Sequence, residues 1–232
     1  MVEAKMKAPT LDPIWEEKYS SGQVQRYPWD CIVTFVYRHY PRDKERSEVK
    51  ILEVGCGTGS NLWFAAREGF NVSGIDGSAS AIKYAQERFQ EEGLNGDLRV
   101  GDFTDLPFAD NSFDLVIDRG ALTCCGLSAG RLAVKEVARV LKPGGFFHAN
   151  PYSQRSSSYL AGGSGPDGLS INIEEGSLTG VGQVCFYSRR ELAELFGEQF
   201  ELTSVKHLEI QEEQQANYMV HAEWRAIAKV RK

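Results

Sequence analysis

The sequence predicts an α/β fold, a mostly parallel sheet covered by helices on both faces and preceded by a helical cap. Three observations predict it. From residue 49 to 149, short apolar runs alternate with helix-patterned stretches, as crossover units require. The first of those runs passes into Glu53-Val54-Gly55-Cys56-Gly57-Thr58-Gly59, a strand that feeds a glycine loop and then a helix. The chain then ends on two strand-like runs, 200–210 and 224–230, with no helix between them, which points to an antiparallel pair at the sheet edge.

Each element has its own local signal. Asp12-Pro13 reads as a helix cap followed by proline at the first helical position, and Ile14, Trp15 and Tyr19 continue a short helix that ends near Gly22. A second helix starts near Pro28 and carries Trp29, Val33, Val36 and Tyr40 on one face; Pro41 ends it, and 42–48 is a charged linker. Residues 49–54 form the first strand, 60–68 a helix closed by Gly69, and 71–75 a second strand ending at Asp76. Ser78 caps a helix carrying Ile82, Ala85 and Phe89, with Gly93 as its stop. Strands are expected at 98–100 and 113–117, a helix at 128–141 with Ala133, Val137, Val140 and Leu141 on one stripe, a turn at Lys142-Pro143-Gly144-Gly145, and a fifth strand at 146–149. Residues 151–187 are rich in Ser and Gly and read as a mobile lid or a disordered insert. Ser188 caps a helix through Leu192 and Leu195. The organisation is one domain: cap 1–47, core 48–150, substrate-side insert 151–187, and C-terminal helix with strand pair 188–232.

Composition bounds the function. With 232 residues, 42% hydrophobic and 25% charged, the chain is of ordinary globular make-up. A net charge of -6 without a long basic run disfavours a nucleic-acid substrate held through phosphates. The five cysteines lack a CxxC or regular spacing, which argues against a zinc site or disulfide framework and for free thiols in a reducing compartment. Lys5 and Lys7 are followed by Pro9, Asp12 and Pro13, which interrupt any signal-peptide run, and no stretch approaches the roughly 20 apolar residues of a membrane span. A cytoplasmic protein is expected.

The glycine loop is the chemical centre. Its spacing is G-x-G-x-G with Ser60 in the sixth position, not the G-x-G-x-x-G of a dinucleotide fingerprint. Glu53, two residues before Gly55, sets a negative charge beside the loop, which suits a cationic, amino-acid-like arm better than a pyrophosphate. Asp76, at the end of the second strand in Asp76-Gly77-Ser78, can accept from both hydroxyls of a ribose; as a helix-capping aspartate it would need no ligand. Asp102, in Gly101-Asp102-Phe103, can accept from an adenine amino group while Phe103 covers the base, or simply close a turn.

Taken together and in order, Glu53-x-Gly55-x-Gly57-x-Gly59, Asp76, Asp102-Phe103, Leu106-Pro107-Phe108 before Phe113-Asp114-Leu115-Val116, and Val140-Leu141-Lys142-Pro143-Gly144-Gly145 resemble the class I S-adenosylmethionine-dependent methyltransferases over residues 48–150. The resemblance implies a Rossmann-like three-layer sandwich with a seven-stranded sheet whose last strand is antiparallel. It implies S-adenosylmethionine as methyl donor, S-adenosylhomocysteine as product, no metal, and a small-molecule methyl acceptor. On this resemblance Glu53, Gly55, Cys56, Gly57, Gly59, Asp76, Gly77, Ser78, Asp102, Phe103 and Asp118 would meet the cofactor, and Tyr19 and Arg26 of the cap would close over it. Asp118-Arg119-Gly120-Ala121-Leu122 is similar to a segment of thiopurine methyltransferases, between methionine arm and acceptor. Asp118, Arg119 and His148 are the candidate catalytic groups. For Arg119 an ion-paired structural role, and for His148 a hydrogen-bonded core position, are the competing readings. Cys124 and Cys125 read as small buried residues, and Tyr152 and Arg155 as groups that face either substrate or solvent. A nicotinamide oxidoreductase, a methyltransferase acting on protein or RNA, and a non-catalytic adenosyl-binding module are the alternatives. Oligomeric state has no signature in the sequence.

Overall fold

The computed structural model describes residues 12–214 and 219–232. The signal-peptide reading of Lys5, Lys7 and Pro9 lies outside them. Two cap helices, α1 (Ile14–Ser20) and α2 (Asp30–His39), precede the alternating core of β1 (Lys50–Val54), α3 (Ser60–Arg67), β2 (Asn71–Asp76), α4 (Ala79–Glu91), β3 (Asp97–Val100), β4 (Phe113–Asp118), α5 (Leu127–Val140) and β5 (Leu141–Ala149). Then follow α6 (Ser157–Ala161), β6 (Gly163–Ser164), β7 (Leu169–Ile171), β8 (Gln183–Cys185), α7 (Arg189–Phe196), β9 (Phe200–Gln211) and β10 (Val220–Val230).

The main sheet has seven strands in the order β3-β2-β1-β4-β5-β10-β9. Strands β1 to β5 pair in parallel, while β10 runs antiparallel to both of its neighbours, so β9 shares the direction of the first five. The expected three-layer α/β sandwich with an antiparallel last strand is the observed one. Its core divides between two faces. Leu52, Val54, Val116 and Phe147 point to the side of α5 and α7, whereas Ile51, Leu115 and Ile117 pack with Ile32, Phe35 and Val36 of α2 and Leu62 of α3. Each such fully buried side chain is worth about 1.5–3 kcal/mol relative to exposure.

Local chemistry explains most boundaries. Asp12 Oδ1 accepts the Ile14 N–H at 3.1 Å, and the Ser78 hydroxyl accepts the Ala81 N–H at 3.1 Å. Ser188 and Glu191 form a reciprocal capping box at α7. Three details differ from expectation. The buried face of α2 is Ile32, Phe35 and Val36, rotated from the Trp29–Val33–Val36–Tyr40 stripe; Trp29 lies outside the helix at its N-cap. The turn at Lys142–Gly145 is a bulge inside β5, with the pairing moving from Phe113↔Leu141 to Leu115↔Phe146. Residues 151–187 are not a structureless insert: they hold α6 and a three-stranded antiparallel sheet, β6-β7-β8. That sheet is backed by a small core of Ile173, Leu178, Val184 and Phe186, against which Tyr152 packs. Low hydrophobicity hid this unit because its core uses only these few widely spaced apolar residues.

Candidate functional site

The strand order reverses between β1 and β4, and the crevice beyond their C-terminal ends is where an open α/β sheet receives ligands. An open cleft lies there. Gly55, Asp76 and Gly77 form its base, Phe103 and Ala121 one wall, Trp15 and Tyr19 of α1 another, and Arg119, Gly120 and Cys124 the end beyond β4.

Backbone geometry of the loop requires its glycines. Gly55 and Gly57 have φ of +63° and +51°, in the left-handed region. A Cβ on Gly55 would stand 2.1 Å from the Ala121 Cβ, and one on Gly57 2.6 Å from the Tyr19 hydroxyl. Both neighbours are cleft walls, so the bare backbone lets two walls close on the loop. Cap helix α1 is held there by Glu16, whose carboxylate accepts from the Ser78 and Ser80 hydroxyls, each at 2.5 Å, at the start of α4.

Three carboxyl groups sit under and beside the loop. Glu53, 2% exposed, accepts from Asn61 Nδ2 at 2.6 Å through Oε1, while its buried Oε2 has no partner among the described residues. Burial, with the neighbouring carboxyls of Asp118 and Asp76 adding to it, pushes the Glu53 carboxyl up to about 8. Asp76 Oδ2 accepts the Gly57 N–H at 2.7 Å and Oδ1 the Ser78 N–H at 2.8 Å. Each carboxylate oxygen offers a second lone pair, so Asp76 can fix the loop and still take a pair of ribose hydroxyls. Asp118 is fully buried; its Oδ1 accepts from the Ala121 and Leu122 N–H groups at 2.8 and 2.9 Å. Burial raises both aspartates above the usual range.

Beyond β4 the character changes. The Arg119 guanidinium lies over the Trp29 ring, 3.9 Å from its centroid, and its Nη2 is 3.4 Å from Glu223 Oε2 on β10. Glu223 is shared: Arg225 Nε approaches it at 2.8 Å and His221 Nε2 at 3.6 Å. Burial opposes its ionisation, but the His221 hydrogen bond and the two guanidiniums hold the carboxyl down at about 2.

Not every candidate from the sequence reaches the cleft. Cys56 is buried and points towards Gly74 behind the loop. Gly59 packs on Ala85, and Ser78 is wholly buried and committed to capping α4 and binding Glu16. Arg26 is exposed, outside the cleft lining, and contributes its carbonyl to Arg88. Asp102 is exposed and its Oδ1 accepts from the Thr104 N–H and hydroxyl, both at 2.8 Å, whereas Phe103 does line the cleft. His148 is away from it: the ring is buried against Phe35 and lines a separate cavity between α2, β9 and β10. Burial pushes its imidazole down to about 4, so it is neutral at physiological pH. Conversely, Trp15, expected only as part of the first helix, and Cys124, expected as a small buried residue, line the cleft, and burial pushes the Cys124 thiol up to about 12. Glu16 and Glu223 carry no sequence signal, because each acts across a long chain separation. Among the described residues no group of three or more His, Cys, Asp and Glu could hold a metal ion, and no helix is long and apolar enough to cross a membrane.

Comparison with known proteins agrees with this geometry. Residues 51–145 match the methyltransferase domain family. A probable phthiotriol/phenolphthiotriol dimycocerosates methyltransferase of Mycobacterium ulcerans is 34% identical over 114 residues, 48% of this chain and 43% of that protein. Methyltransferase GfsG of Streptomyces halstedii is 34% identical over 99 residues, 41% of this chain and 35% of that protein. The chain thus spans about two fifths of the length of these curated relatives. The crystal structure of a SAM-dependent methyltransferase from Methanosarcina mazei superposes with a TM-score of 0.69 at 23% identity, covering 88% of this chain and 98% of the other; that likeness is one of fold.

Proposed function

We propose that this protein transfers a methyl group from S-adenosylmethionine to an O, N or S atom of a small-molecule acceptor; the match of residues 51–145 to the methyltransferase domain family and the seven-stranded sheet order support the reading. One observation carries the choice of donor. The glycine loop lies over three buried carboxyls, Glu53, Asp76 and Asp118, one with an oxygen that lacks any partner. Such a floor suits a cationic amino-acid arm joined to an adenosine and opposes the pyrophosphate of a nicotinamide dinucleotide.

In this reading Glu53 and Asp118 face the ammonium end, Asp76 the ribose hydroxyls, and Phe103 the base. Tyr19 and Trp15 close the cleft from the cap. Bound S-adenosylmethionine supplies a methyl already activated on sulfur. The chain's work is therefore to hold the acceptor in line with that bond and to keep water out, which α1 does once seated on Ser78 and Ser80. The acceptor approaches from the side of Arg119 and Gly120. The phthiotriol and phenolphthiotriol dimycocerosates named for the mycobacterial relative support a small acceptor over a macromolecule. The test is methyl transfer itself: purified protein, isotopically labelled S-adenosylmethionine and a metabolite extract, with mass spectrometry of the product. Label in a small molecule is the expected result. Label only in protein or RNA would replace the acceptor class.

A further inference from the structure

The acceptor end of the cleft holds a cation that its surroundings only half neutralise. The Arg119 side chain is 9% exposed, lines the cleft, and its buried Nε has no hydrogen-bond partner among the described residues. Its one close carboxylate among the described residues, Glu223, is also the partner of Arg225, at the shorter distance of 2.8 Å against 3.4 Å. Asp30, the other acid near Arg225, is 3.9 Å away and 82% exposed, so it offsets little of this charge. The carboxyls beneath the glycine loop face elsewhere. Asp118 turns its oxygens to the backbone N–H groups of Ala121, Leu122 and Asn150, Glu53 turns to Asn61, and among the described residues only Glu223 stands within ion-pair distance of the guanidinium. A buried cation without a full partner is costly, and a site that keeps one is arranged for an anion that arrives.

The neighbourhood gives that anion a shape. Gly120, with φ +84°, leaves its side-chain space empty, and the Tyr152 hydroxyl stands 3.8 Å from where its Cβ would be. Trp29 covers the other side of the guanidinium. Arg119 also donates a hydrogen bond to the Tyr152 hydroxyl, so a planar anion reaching the guanidinium from the cleft meets the phenol beside it, with aromatic surface around it.

We propose that Arg119, assisted by Tyr152, binds a carboxylate of the methyl acceptor, so that the substrate class is a small, carboxylate-bearing molecule with a flat or apolar body. This rests on the methyltransferase reading above, and the experiment separates the two. Protein saturated with S-adenosylhomocysteine is titrated by calorimetry with benzoate and, in parallel, with its neutral isostere benzamide. Benzoate is expected to bind alongside S-adenosylhomocysteine, benzamide about tenfold or more weakly, as loss of a charge-assisted contact implies. Arg119→Gln should abolish benzoate binding. Tyr152→Phe, a gentler change, should weaken it severalfold while leaving S-adenosylhomocysteine affinity in place.

Three results would overturn the proposal while leaving the methyltransferase reading intact. One is no benzoate binding up to about 20 mM by a protein that binds S-adenosylhomocysteine. Another is unchanged benzoate binding in Arg119→Gln. The third is strict competition between benzoate and S-adenosylhomocysteine, which would assign Arg119 to the carboxylate of the methionine arm. Failure to bind S-adenosylhomocysteine at all would remove both.

Discussion

Cofactor binding at neutral pH should expel a proton from Glu53. In the free protein, burial lifts this carboxyl from 4.5 to about 8, and at about 1.4 kcal/mol per pH unit that is about 5 kcal/mol against charging it. At pH 7 it is therefore about 90% protonated. An ammonium group placed against the unpartnered Oε2 reverses the preference, because an adjacent opposite charge favours the carboxylate. Binding at pH 7 then releases about 0.9 proton, and affinity rises by up to about tenfold per pH unit as the pH approaches 8, levelling above it. The assay is calorimetry of S-adenosylhomocysteine binding between pH 6 and 8.5, in buffers that differ in ionisation enthalpy. The dependence of the heat on buffer counts the protons. Glu53→Gln should show no release, a flat pH profile, and binding weaker by about 10- to 100-fold from loss of a charged hydrogen bond. The same raised value makes the group's contribution to the stability of the free fold complete below pH 4.5 and lost as the pH rises through 8. Heats independent of buffer together with affinity flat from pH 6 to 8 would refute the pairing of Glu53 with an ammonium.

Other outcomes follow from the same geometry. Asp76→Ala should cost at least about 100-fold in S-adenosylhomocysteine affinity, and because Asp76 also ties the Gly57 and Ser78 amides, about 1–3 kcal/mol in denaturant stability; Asp76→Asn should recover part of both. Gly55→Ala combines left-handed backbone strain with a 2.1 Å clash, about 2–5 kcal/mol together, whereas Gly180→Ala, at φ +76° with nothing within 4 Å, should cost about 1–2 kcal/mol; equal losses in a denaturation series would show that Ala121 yields. His148, depressed from 6.5 to about 4, gives stability that is present above pH 6.5 and lost as the pH falls to 4, about 3 kcal/mol in all. His148→Phe should flatten that acid limb in urea titrations, and an unchanged limb would mean the imidazole is charged in the fold.

The sheet was readable from the sequence because each of its parts has a local cause. The periodicity changes from strand to helix at Gly59–Ser60, Ser78 caps α4, and β9 and β10 follow one another without a helix. The floor of the cleft was readable for the same reason: Glu53, the glycines and Asp76 lie within one βαβ unit. What stayed hidden depends on distant residues. Glu223 meets Arg119 from the far end of the chain, and Glu16 reaches α4 across 62 residues. Which side of β5 His148 faces follows from strand register, with its Cα between Ile117 and Ile227, and a one-residue slip would have turned it to the other face. The small sheet in 151–187 was hidden by composition, since serine and glycine outnumber the four side chains that form its core.

Whether the cleft is built for an adenosyl amino acid can be measured in a single thermal comparison of S-adenosylhomocysteine with NAD. At about 100 times its dissociation constant, a ligand confined to the folded state adds about 2.7 kcal/mol, which for a chain of this size raises the melting temperature by about 5–11 °C. S-adenosylhomocysteine should produce a shift of that order in the wild type, with little in Asp76→Ala, and NAD should produce none. A shift with NAD and none with S-adenosylhomocysteine would contradict the donor assignment at its root.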